Sequence, residues 1–92
     1  MASRKILKKD IDRIIDDLVT DCYICMYEHP DLDMSGFETI INEAMFLRDD
    51  LINRINHAGE GGEEIKKNFQ TIKADLSANI ANQYVKLESL IG

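Results

Sequence analysis

The stretch DCYICMYEHPDLDMSG, residues 21–36, gathers most of the side chains in this chain whose types and spacing could do chemistry. Cys22, Cys25 and His29 stand at i, i+3 and i+7, on one side of a helix, and cysteine and histidine are good zinc ligands. A structural zinc site takes a fourth ligand. The second histidine, His57, belongs to the far end of the next helix, about twenty residues at 1.5 Å each and so on the order of 30 Å away. Glu28, Asp31 or Glu88 could stand in for it. Cys22 and Cys25 also continue an apolar stripe, however, where free cysteine behaves as a small hydrophobe, and that role is preferred. A thiol redox site fits less well. The pair sits in the last turns of its helix, where the dipole opposes a thiolate, and no strand precedes it.

Asp31-x-Asp33-x-Ser35-Gly36 has the form of the front of an EF-hand calcium loop, with oxygens at positions 1, 3 and 5 and glycine at 6; Thr39 fits position 9. The back half departs from that pattern. Position 8 is Glu38, and position 12, which should supply a bidentate carboxylate, is Asn42, with Glu43 one residue too late. Asp31, Asp33, Ser35 and Thr39 are therefore the calcium candidates, set against the ordinary use of Asp, Ser and Gly in turns and caps, and no metal or cofactor is expected. Other activities find less support. The chain has no Glu-x-x-His pairs for a di-iron bundle, and GEGG lacks the lysine and hydroxyl residue of a phosphate loop. His57 precedes Ala-Gly at a helix end, and His29 is beside Pro30 in a turn; neither is placed for phosphotransfer. A non-enzymatic protein with no small-molecule substrate is expected.

The elements that carry these residues follow from the breakers. Pro30 is the sole proline, and the glycines at 36, 59, 61, 62 and 92 divide the rest. Ile11, Ile14, Ile15, Leu18, Val19, Cys22, Cys25 and Met26 recur at three- and four-residue steps and predict a helix over 5–28, ended by Pro30. Phe37, Ile40, Ile41, Ala44, Leu47, Leu51, Ile52 and Ile55 predict a second over 36–57, opened by a Ser35-x-x-Glu38 capping box and closed by Gly59 in the left-handed conformation. Ile65, Phe69, Ile72, Leu76, Ile80, Leu87 and Ile91 predict a third over 63–91, with Glu63 and Glu64 suited to its N-terminus. No alternating strand pattern or hairpin dipeptide occurs. Short connections make neighbours antiparallel, so the expected fold is all-α, an up-down-up antiparallel three-helix bundle forming one domain over 1–92.

Composition sets the outer limits. Ninety-two residues with 45% hydrophobic and 30% charged content describe a globular chain with a single modest core. The longest apolar run, Cys22 to Tyr27, is far short of the roughly 20 residues a bilayer requires, and no secretory h-region follows the basic start. A cytoplasmic protein with reduced thiols and no membrane partner is expected. The net charge of −6 argues against nucleic acid, apart from the basic cluster Arg4, Lys5, Lys8 and Lys9, which has no interleaved aromatic residue.

The remaining clue is apolar residues outside the core stripes. At 100° per residue, Ile24 falls opposite Leu18 and Cys22, with Tyr23 and Tyr27 on its flank; Phe46 falls opposite the core face of the second helix. In the third helix, Ala74, Ala78, Ala81 and Val85 form a narrow stripe on the side away from Ile65 and Leu76. Tyr23, Ile24, Tyr27, Ala74, Ala78, Ala81 and Val85 are the candidate interface, for a homodimer or a partner protein. Lys8-Lys9-Asp10-Ile11-x-x-Ile14, the late cysteine of the first helix, and Arg48-Asp49-Asp50 followed by Arg54-Ile55-x-His57 resemble a family of small uncharacterised all-helical bacterial proteins. The likeness covers most of the chain. It implies a helical fold and carries no activity or functional residue.

Overall fold

The structure, a computed structural model, describes residues 4–92. Three helices account for nearly all of them: α1 (Arg4–Glu28), α2 (Ser35–Asn56) and α3 (Gly62–Ile91), with no strand among the described residues. They pack up-down-up into a slender bundle 52 × 18 × 18 Å. Each boundary falls within one residue of the sequence expectation.

The core is a single column of apolar side chains contributed by the three inward stripes. Ile11, Ile15, Leu18 and Cys22 of α1 meet Phe37, Ile40, Ala44, Leu51 and Ile55 of α2 and Phe69, Ile72, Leu76 and Leu87 of α3. Fully burying an aliphatic or aromatic side chain is worth about 1.5–3 kcal/mol, so this column supplies the main driving force. Leu7 and Ala58 extend it beyond the expected stripe. Ile91, expected on the core face, is exposed; its neighbour Leu90 turns inward instead. The cause is Gly36. A Cβ built there would lie 2.5 Å from Leu90 Cδ2, so the absent side chain at the start of α2 makes the room that Leu90 fills.

Local chemistry closes the two connections. At 29–34, Asp33 rather than Ser35 caps α2: its Oδ1 accepts the Ser35 amide at 3.0 Å, while Met34 already has helical angles and makes no side-chain cap bond. The expected capping box is displaced by this earlier acceptor. At 57–61, Gly59 takes φ 104°, the left-handed region where glycine alone carries no Cβ penalty. Arg4 then reaches across from α1 and donates to the Gly59 carbonyl at 2.7 Å, and Asn68 of α3 donates to the Ala58 carbonyl at 2.7 Å. Both carbonyls of this turn are thereby given partners.

Candidate interaction surface

The residues that suggested metal or redox chemistry are placed by the fold for other work. Cys22 is fully buried and Cys25 half-buried, both as free thiols. Burial, with Cys25 and Asp21 adding negative charge, pushes the Cys22 thiol up to about 11, and burial also raises Cys25. Cys22 packs within the core column and Cys25 against it, as small apolar groups. Asp33 spends its carboxylate on the Ser35 amide, which holds it below the usual carboxylate range. Thr39 lies inside α2 and donates its hydroxyl to the Ser35 carbonyl at 2.9 Å. Because α2 begins at Ser35, the stretch that an EF-hand would use as loop is already helix, and Asp31 stands exposed in the turn before it. Among the described residues no three His, Cys, Asp or Glu side chains converge as a metal site.

His57 lines a small cleft of about 230 Å³ with Asn53, Arg54, Asn68, Thr71 and Ile72. Its Nδ1 pairs with the Asn53 carbonyl at 2.8 Å, Asn68 is tied to Ala58, and Arg54 is held by Asp75 at 2.8 Å. The polar groups of this cleft thus brace the α2–α3 turn.

The proposed interface residues are all exposed, and the fold distributes them. Tyr23 lies over the groove between α1 and α2, beside Met26, Glu38, Ile41 and Asn42. Ile24 and Ala81 belong instead to the α1–α3 side. Tyr84 donates to Asp21 Oδ2 at 2.5 Å across that seam, and Ile24 and Ala81 each lie three residues from it, about 60° further outward on their helices. Ala74, Ala78 and Val85 continue around the solvent face of α3. Tyr27, 88% exposed, stands at the end of α1. Phe46, 77% exposed, rims a separate α2–α3 groove with Asn42, Leu47, Asp50, Asn79 and Gln83.

Two residues of this end escaped the sequence reading. Gln83 is 93% buried by its 7% exposure, where an apolar residue was due; its Nε2 faces Glu43 at 3.4 Å, and its Oε1 has no hydrogen-bond partner. Tyr84 is half-buried, and burial followed by its bond to Asp21 raises its phenol above the ordinary value. The signal was present: 83 and 84 continue the three- and four-residue steps from Leu76 and Ile80.

Charge separates along the rod. Residues 14–47 hold eight acidic residues and no lysine or arginine, whereas 4–13 hold five cations against two acids. Lys86, bonded to Glu43 at 3.1 Å, is the cation that α3 contributes among the acids. The end where α1 finishes is therefore acidic and studded with Tyr23, Ile24, Tyr27 and Val85. Among the described residues no helix is long and apolar enough to cross a membrane. Compared with known protein families, curated proteins and solved structures, the chain matches none.

Proposed function

We propose that this protein is a non-enzymatic interaction module, a short helical rod that holds another polypeptide, a second copy or a partner protein, against apolar side chains on its outward faces. The observation that carries the reading is the set of large apolar groups standing in solvent on a chain with a small core: Tyr27 at 88%, Phe46 at 77% and Val85 at 61% exposure. Such groups lower solubility unless they are covered at work. The reading includes a cytoplasmic, reducing setting, in which the free thiols Cys22 and Cys25 persist as packing groups.

Paired affinity captures test it, one with the wild-type protein as bait and one with Tyr27→Lys/Val85→Lys. Both positions are exposed, so circular dichroism should stay unchanged. Polypeptides other than further copies of the chain that the wild type holds are expected to be lost from the variant. Equal retention of those polypeptides by both baits refutes the reading.

A further inference from the structure

The outward face of α1 is complementary to itself. Ile6, Arg13, Asp17 and Ile24 fall within about 40° of one another at 100° per residue, on the side away from the core. All four are exposed, Ile6 at 54%, Ile24 at 48% and the Arg13 side chain at 71%. Ile6 and Ile24 are equally distant in sequence from Ile15, and so are Arg13 and Asp17. A second α1 laid antiparallel across this face, with the two-fold axis at Ile15, sets Ile6 against Ile24 and Arg13 against Asp17, each contact made twice.

We infer that this face pairs two copies of the chain about an antiparallel two-fold axis, which deepens the interaction-module reading and rests on it. Charge selects the occupant and its direction. Antiparallel pairing lays the basic start of each α1 along the acid-rich half of the other, and parallel or end-to-end pairing at the acidic tip opposes like charges. The present partner of Arg13 is Asp10, one turn away at 3.8 Å on the surface, a contact weak enough to be exchanged.

The neighbouring helix leaves room for this approach. The Tyr84–Asp21 bond sets the register of the parallel helices α1 and α3, and six residues back along each lie Ile15 and Ala78. Exposed Ser77, Ala78 and Ala81 therefore flank the level of the two-fold axis, where a bulkier side chain would hold the second rod away. One helix pair with this rim makes a small interface, on the order of 1,000 Å² and suited to a micromolar dimer.

Charge exchange tests the pairing. Sedimentation equilibrium at about 100 μM protein, a concentration above a micromolar dissociation constant, should give the wild type twice the 10.5 kDa chain mass. Arg13→Glu and Asp17→Arg should each weaken association at least tenfold, since each sets like charges together twice. The combined Arg13→Glu/Asp17→Arg chain should recover the dimer, because both contacts are re-formed with their signs exchanged. Both substitutions place good helix formers, and circular dichroism verifies the fold of all three variants. A monomeric wild type overturns the pairing, as does a dimer indifferent to the single substitutions or a double variant that stays monomeric. The module reading fails separately, when the Tyr27→Lys/Val85→Lys bait retains the polypeptides other than further copies that the wild type retains.

Discussion

Where α2 turns into α3, the rod is closed by apolar packing and by side chains that seize backbone carbonyls. Ile11, Leu51, Ile55 and Ile72 are fully buried, and Arg4 and Asn68 hold Gly59 and Ala58. Toward the opposite end, α3 brings Gln83 and Tyr84 into the seams, bonded to Glu43 and Asp21, and one buried oxygen stays unpaired. The first arrangement gains from every contact it buries. The second spends part of its gain on desolvating polar groups, so the acidic end should open more readily while the other holds.

The largest effect should come from cutting into the apolar end. Ile11→Ala deletes buried carbon on all sides and should cost about 2–5 kcal/mol in urea denaturation. Cys22→Ala, toward the other end, removes one heavy atom and should cost clearly less; equal losses would break the contrast. Next comes the seam itself. Tyr84→Phe removes the hydroxyl bonded to Asp21 and should cost about 1–2 kcal/mol, with faster amide exchange in the last turns of α1 and α3.

Alkali sharpens the contrast through the same end. The folded chain keeps protons on Cys22 and Tyr84 that the unfolded chain releases, because both groups are raised from their ordinary values of 9.0 and 10.0. The Cys22 contribution is complete below pH 9 and is lost as pH climbs through about 11, and the Tyr84 contribution is complete below pH 10 and is lost only at higher pH still. Melting temperature should fall across that window, and less steeply in Cys22→Val.

Smaller effects are expected where one gain offsets another. Gln83→Met discards the unpaired oxygen along with the long bond to Glu43, and should leave stability unchanged or raise it by about 1 kcal/mol. Gly36→Ala gains helix propensity but displaces the end of the Leu90 side chain, for a net change within about 0.5 kcal/mol by thermal melt.

The same division marks what could be read from the chain alone. Helix extents followed from Pro30, the glycines and the three- and four-residue steps, because burial of one face dominates where every inward residue is apolar. Ile14, Val19 and Met26, expected within that face, are half-buried and line its edge. Gln83 and Tyr84 were missed because polarity was read as exposure, and only the neighbouring helices supply the acids that allow burial. Leu90 replaced Ile91 for a similar reason: the space above Gly36 is a property of two elements, absent from either one. The cap moved from Ser35 to Asp33 because a nearer carboxylate reached the helix first. In the candidate surface, individual exposure was legible from helix angle. The separation of Tyr23 from Ala81 was not, since it depends on which neighbour each flank of α1 faces.

The seam between Tyr84 and Asp21 also makes the protein its own optical probe. The chain has no tryptophan and three tyrosines, so its ultraviolet emission comes from phenols alone. A phenol hydrogen-bonded to a carboxylate is quenched, so Tyr84, which donates to Asp21, should emit weakly while the seam is closed. Tyr23 and Tyr27, exposed near the acidic tip, emit with their surroundings. Opening of the seam should brighten the emission and covering of the tip should change its anisotropy, two signals separable in a single cuvette without any attached dye.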